Sequence, residues 1–296
     1  MPKVSLGFWH NFGGNDSYER SRKITHFAFD HGINHFDLAN NYGPPYGSAE
    51  ETMGSLIKDD FRPYRDELFI STKAGYDMWE GPYGNWGSRK YLTASLDQSL
   101  KRMNLEYVDL FYSHRYDPDT PLEETLQAMA DIVKQGKALY LGLSRWPLET
   151  LKFADKYLRE RDVPLLIYQG RLNLLDRSPQ EEGILDYCAE HGIGFISFSP
   201  LAQGLLTDRY LNGIPSDSRM AKEHFLKSKD LTPELLKKLK AWNEQAGKRN
   251  ETLAEMALSW ILSQKGVTSV LVGASSTEQL EKNMKCVHAE PFSSEI

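Results

Sequence analysis

Cysteine is scarce in this chain. Cys188 and Cys286 are the two among 296 residues, too few for a disulfide framework and without the Cys and His spacing that holds a metal. Both are expected to be buried, inert thiols, which suits a reducing cytoplasm. Long apolar runs are missing as well: none approaches the ~18 residues of a membrane span, and the opening "MPKVSLGFW" lacks the apolar stretch of a secretory signal. No membrane partner is expected. Positive charge is not in excess, because the net charge is −6 and Lys and Arg are dispersed, so no field for a polyanion exists and nucleic acid is not an expected partner. There is no low-complexity tract, linker or solenoid repeat, and residues 1–296 are expected to form one domain. The sequence also lacks Gly-x-Gly-x-x-Gly after a strand, which disfavours a Rossmann-type site.

What is present is a rhythm. Eight short apolar runs, Val4 to Phe8, His35 to Asp37, Leu68 to Thr72, Val108 to Ser113, Ala138 to Leu143, Leu165 to Tyr168, Phe195 to Ser199 and Ser269 to Val272, alternate with helical periods. In the helical segments Leu92, Leu96, Leu100 and Met103 recur at steps of four, four and three, as do Leu122, Leu126, Met129 and Val133. Capping boxes are read at Ser48 to Glu51 and Thr252 to Glu255, and Gly32, Gly136 and Gly192 follow helices. The expected fold is α/β, a (β/α)8 TIM barrel. Seven of the strands end in a polar residue or glycine: Asp37, Lys73, His114, Ser144, Gln169, Ser199 and Gly273. A barrel of this class carries its chemistry at the C-terminal ends of its strands, so the chain reads as an enzyme. Two loops on that face break the rhythm. Tyr76 to Ser88 is rich in Gly, Trp, Tyr and Pro and reads as a pocket wall or a packed surface loop; Leu201 to Asp230 reads as a lid or clamp.

Singly, Asp37 could cap a turn, Lys73 could pair with it structurally, and His114 could be a satisfied core histidine. Together, on three successive strands with Tyr42 just beyond, they suit protonation of a carbonyl oxygen. Tyrosine, with a pKa of ~10, is mismatched to neutral pH by ~3 units, or ~4 kcal/mol. Lys73 is expected to lower that gap, with Asp37 fixing the lysine and His114 orienting the substrate oxygen. No side chain delivers hydride, so a cofactor is required. Backbone N–H groups from Gly273 to Ser276 open a helix and can hold a phosphate, although a plain cap explains Ser276 equally well. Arg209 and Arg219 can hold a 2′-phosphate or be solvated. A carboxylate pair, Asp37 with Glu50 or Glu51, would instead suit a hydrolase, but it leaves Lys73 and Gln169 without roles.

The segments "FDLANNYG", "STKAG", "LEYVDLFYSHR", "GLSRW", "SPLAQGLL" and "GAS" followed by "EQL" and Asn283 resemble the aldo-keto reductases across nearly the whole chain. The resemblance implies a catalytic tetrad of Asp37, Tyr42, Lys73 and His114, with Tyr42 as proton donor. It implies NADP(H) as cofactor. Ser144, Gln169 and Arg145 fall at the nicotinamide carboxamide, Phe198 stacks on the ring, and Trp9 lines its pocket. Ser199, Leu201, Gly204 and Arg209 form the pyrophosphate clamp, Arg219, Ser275, Gln279 and Asn283 take the adenosine end, and Pro200 and Gly273 are further cofactor-binding positions. Lys282 stands where members often carry an acidic residue. The N-terminal hairpin strand and final helix usual in the family are expected to be absent or nearly so. The implied substrate is a small polar or phosphorylated aldehyde, such as glyceraldehyde 3-phosphate or methylglyoxal, in a pocket walled by Trp9, Tyr42, Trp79, Trp86 and His114. A homo-oligomer is compatible with this reading. The alternative is a cofactor-sensing accessory subunit resembling the potassium channel β-subunits.

Overall fold

The rhythm of the sequence closes on itself. In a computed structural model that describes residues 1–215, 220, 227 and 230–292, the parallel strands β1 (Val4–Gly7), β2 (His35–Asp37), β3 (Phe69–Ala74), β4 (Val108–Ser113), β5 (Ala138–Ser144), β6 (Leu165–Arg171), β7 (Gly194–Phe198) and β8 (Val267–Val272) pair in chain order. β8 then pairs with β1 to complete a barrel. Between them run α1 (Tyr18–Asp30), α2 (Ser48–Leu56), α3 (Arg89–Met103), α4 (Leu122–Lys134), α5 (Leu148–Arg159), α6 (Ser178–Glu181), α7 (Ile184–Glu190), α8 (Pro233–Lys248) and α9 (Leu253–Ser263), and α10 (Thr277–Met284) follows β8. The stripe Leu92, Leu96, Leu100 and Met103 is buried, each such side chain contributing roughly 1.5–3 kcal/mol relative to exposure. No helix among the described residues is long and apolar enough to cross a membrane. Cys188 and Cys286 are both free and buried, and burial pushes each thiol up to about 12, which leaves it unreactive.

One expected cap differs. Thr252 and Glu255 form a reciprocal capping box, with bonds of 3.2 and 2.7 Å. Ser48 does not: Gly47, at φ 90°, caps α2 and makes Ser48 the first helical residue. The Ser48 hydroxyl is taken instead by the preceding turn, donating to the Pro45 carbonyl at 2.7 Å and accepting the Gly14 N–H at 2.8 Å.

The barrel interior holds an oriented polar chain. Ser71 Oγ donates to Asp37 Oδ1 at 2.7 Å, which uses its one proton. His35 Nε2, 3.0 Å from Ser71 Oγ, is therefore the donor there, and Nδ1 accepts from Ser5 Oγ at 2.8 Å. Ser5 in turn accepts from Ser269 at 2.7 Å. The order Ser269, Ser5, His35, Ser71, Asp37 thus requires a neutral imidazole, and burial lowers the His35 pKa from 6.5 to about 4. Higher up, Gly142 makes room for Tyr112, whose ring carbon lies 2.4 Å from where a Cβ would stand.

A depressed folded-state pKa means that the unfolded chain takes up the proton first. His35 therefore contributes stability above its unfolded pKa of 6.5 that is lost as pH falls toward about 4. Relative to His35→Gln, the wild type is expected to lose about 3 kcal/mol of unfolding free energy across that window. Parallel urea titrations of the two proteins check this; a difference that stays constant with pH would show that His35 is not held neutral.

Candidate active site

Asp37, Lys73 and His114 reach one end of the barrel because β2, β3 and β4 are neighbours in register. Asp37 pairs with Ser71, and Lys73 with Tyr112. Lys73 Nζ donates to Asp37 Oδ2 at 2.5 Å and to the Leu38 carbonyl at 2.7 Å, and both side chains are fully buried. Asp37 Oδ1 also accepts from Gln169 Nε2 at 3.2 Å. Burial lowers the lysine pKa while the Asp37 charge raises it, so the buried ammonium depends on its carboxylate. Tyr42, from the loop after β2, stands with its ring 5.1 Å from Lys73 Nζ and 5.9 Å from the His114 ring. The four residues converge.

One electrostatic expectation is reversed. Tyr42 is not acidified by Lys73: burial, then the charges of Asp37 and Tyr76, raises its pKa well above the ordinary value. The ammonium faces the ring, and desolvation dominates. Tyr42 therefore holds its proton at neutral pH. Burial, then the charges of Lys73, Arg145 and Arg115, lowers the His114 pKa far below its usual range. The neutral imidazole has no hydrogen-bond partner at Nδ1.

Around this centre the remaining expected residues fall into three groups. Ser144 and Gln169 lie side by side on β5 and β6 and are buried. Trp9, about a third exposed, has its ring 6.5 Å from that of Tyr42. Trp79 packs on Tyr91 at 5.1 Å, and Trp86 stacks on Arg115 at 3.5 Å. Sequence reasoning missed Tyr76 and Arg115. Tyr76 meets the His114 ring edge to face at 4.7 Å, and Arg115 lies 4.3 Å over the Tyr76 ring. Arg115 directly follows His114, a signal lost by stopping at the strand-end residue itself.

Arg145 at φ 58° and Ser199 at φ 49° adopt left-handed conformations just beyond β5 and within the turn after β7, and Ala202, Gln203 and Gly204 continue at positive φ. Such strain in non-glycine residues clusters at ligand clamps. Phe198 ends β7, Pro200 and Leu201 belong to the turn, and Arg209 is exposed beyond it. Gly273 is exposed and open, since nothing lies within 4 Å of where its Cβ would be. Ser275 donates its N–H and hydroxyl to Gln279 Oε1 at 2.8 and 2.9 Å, and Ser276 caps α10. Asn283 is buried with Nδ2 unpartnered. A strained turn, an open glycine and a buried unpaired amide fit an elongated phosphate-bearing cofactor. Arg219 lies outside the described residues.

The alternative carboxylate pair does not form. Glu50 is buried on α2, accepting from Thr72 Oγ1 at 2.5 Å and Arg102 Nε at 2.7 Å. Thr72 alternates with the inward Lys73 and so points out of the barrel, and Glu51 is exposed. Among the described residues no cluster of His, Cys, Asp and Glu suits a metal ion.

A closed parallel barrel with a buried acid–lysine pair, a tyrosine and a histidine gathered at its C-terminal end is compatible with an oxidoreductase, the class that the related proteins support. The chain belongs to the aldo/keto reductase family, whose sequence model matches residues 3–296 and whose members generally use nicotinamide cofactors. It is 57% identical over 300 residues to an L-glyceraldehyde 3-phosphate reductase of Escherichia coli, a match covering 100% of this chain and 86% of the relative. A probable voltage-gated potassium channel subunit beta of Arabidopsis thaliana is 37% identical, with 98% and 88% covered. Among solved structures, a thermostable aldo-keto reductase in complex with the inhibitor epalrestat superimposes with a TM-score of 0.75 at 28% identity, covering 99% of this chain and 92% of that one.

Proposed function

We propose that the protein is an NADPH-dependent reductase of short aldehydes, with L-glyceraldehyde 3-phosphate as its characteristic substrate and methylglyoxal as a second. The observation that carries this reading is the convergence of the buried Lys73–Asp37 pair with Tyr42 and His114. The substrate follows from the 57% identity to the reductase of that name. When bound, the reduced nicotinamide supplies hydride to the carbonyl carbon.

The chain's own residues do the rest. Tyr42 holds a proton because its site is desolvated, and it releases that proton to the carbonyl oxygen. An alkoxide is a stronger base than tyrosinate, so the transfer is downhill without prior acidification. Lys73 places its charge near the tyrosinate left behind, and Asp37 keeps Lys73 charged. Neutral His114 orients the oxygen by hydrogen bonding. Ser144, Gln169 and Arg145 hold the carboxamide of the nicotinamide, Phe198 stacks on it, and Trp9 covers its pocket. Ser199, Pro200, Leu201, Gly204 and Arg209 hold the pyrophosphate; Gly273, Ser275, Gln279, Asn283 and Arg219 take the adenosine and its 2′-phosphate.

A second reading, a cofactor-sensing accessory subunit, draws on the 37% identity to the plant channel subunit; the complete proton-transfer set favours catalysis. Cofactor oxidation followed at the nicotinamide absorbance decides between them. Turnover of L-glyceraldehyde 3-phosphate and methylglyoxal is expected with NADPH and more weakly with NADH. Tight NADPH binding without turnover of any aldehyde would move the protein to the accessory class, and a preference for NADH would overturn the 2′-phosphate assignment.

A further inference from the structure

Two guanidinium groups, those of Arg145 and Arg115, flank the Tyr76 ring beside His114. Arg145 Nη1 donates to the Tyr76 hydroxyl at 3.0 Å, while Arg115 lies over the face of the same ring at 4.3 Å. Tyr76 in turn contacts the His114 ring. The contacts described for the two arginines are to carbonyl, amide, hydroxyl and ring groups. The fixed charges at this rim are therefore positive, and His114 feels both. Of the acids nearby, Asp77 is bonded by Asn85, and Asp117 is taken by Gly87 and Thr120.

Arg115 is also held in place. Its Nε donates to the Gly75 carbonyl and its Nη2 to Asn85 Oδ1, both at 2.7 Å, and the Trp86 ring stacks on it at 3.5 Å. Those bonds use two of its five donors. Planar aromatic stacking fixes the guanidinium without neutralising it, leaving a preorganised cation one ring away from the residue that meets the carbonyl oxygen. Arg145 is the cation proposed for the nicotinamide carboxamide, and Arg115, with three donors that these bonds do not use, is the cation proposed for the substrate.

We propose that Arg115 is the anion-recognition residue of the pocket, binding the phosphate of a phosphorylated short-chain aldehyde whose carbonyl lies between Tyr42 and His114. Tyr76 and Trp86 position the guanidinium, and Arg145 adds to the field. The assignment rests on the reductase reading and explains how one pocket favours a phosphorylated aldehyde over an uncharged one of equal length. It also gives the loop from Tyr76 to Trp86 a purpose, since this segment carries both rings that hold Arg115.

The test compares L-glyceraldehyde 3-phosphate with unphosphorylated glyceraldehyde at saturating NADPH in wild type, Arg115→Met and Arg115→Lys. In Arg115→Met the ratio of the two kcat/KM values is expected to shift by about 10- to 100-fold against the phosphorylated substrate, mainly through KM, as befits loss of a hydrogen bond to a charged group. Arg115→Lys, which keeps the charge and loses the fork, recovers part of it. In the wild type, raising ionic strength weakens KM for the phosphorylated substrate alone. An equal loss for both substrates would show that Arg115 only organises the loop, and would overturn the proposal. Titration of the cofactor-free proteins with inorganic phosphate, followed by tryptophan fluorescence, separates this outcome from failure of the reductase reading. A quench lost in Arg115→Met keeps the anion site even if no aldehyde is reduced, and identical titrations in the two proteins remove it.

Discussion

A Tyr42→Phe variant is expected to lose about 10²- to 10⁴-fold in kcat, the scale of one positioned proton donor, while its NADPH affinity stays near that of the wild type. The change removes one hydroxyl and keeps the ring, so the contacts of Tyr42 with Trp9, His114 and Lys73 survive. What disappears is the proton of the one phenol, among the described residues, whose ring lies beside both His114 and the ammonium of Lys73. Tyr112, which also lies near Lys73, at 5.4 Å, is fully buried inside the barrel, and burial followed by the Asp37 charge raises its pKa far above the ordinary range. It has no route to a substrate. Transient and steady-state rates, with cofactor binding measured separately, check the prediction. A variant that loses cofactor binding and turnover together would show that the hydroxyl serves architecture, not proton transfer.

Lys73→Met is expected to destabilise the fold by about 3–5 kcal/mol, the cost of breaking a buried ion pair from one side. Lys73 and Asp37 are wholly shielded from solvent, so methionine leaves a carboxylate with Ser71 and Gln169 as its remaining donors. The carboxyl group then responds by taking a proton. The double variant Asp37→Asn/Lys73→Met is expected to be more stable than Lys73→Met alone, because the amide carries no charge to strand. Urea unfolding of the wild type and the variants reads both effects. A Lys73→Met protein within about 1 kcal/mol of the wild type would mean that the pair is not buried as described.

Much of this architecture was legible from apolar runs and their polar ends. β2 and β4 begin and end where the runs do, and the strand order follows from strict alternation with helices. Asp37, Lys73 and His114 could be placed on one rim because the side chain at a strand's C-terminal end has few places to go in a closed barrel. The rest depended on contacts between segments distant in sequence. The Ser48 cap was misread because a turn preceding the helix took its hydroxyl. The acidity of Tyr42 was misjudged because residue spacing shows which charges are near but not how dry the site is. Tyr76 and Arg115 sit one to three residues past the strand-end positions, and only the packing of the loop from Tyr76 to Trp86 brings them to His114. The interior chain through His35 was equally hidden, since it joins Ser5, Ser71 and Ser269 from three other strands.

The central claim is that this barrel end transfers a hydride to a carbonyl carbon while Tyr42 protonates its oxygen. Turnover of L-glyceraldehyde 3-phosphate with NADPH deuterated at the transferring position of its nicotinamide tests it most directly. The account predicts one deuterium on the former carbonyl carbon of the product alcohol, formed by the wild type and nearly absent with Tyr42→Phe. Product lacking deuterium, or equal product from both proteins, would contradict it.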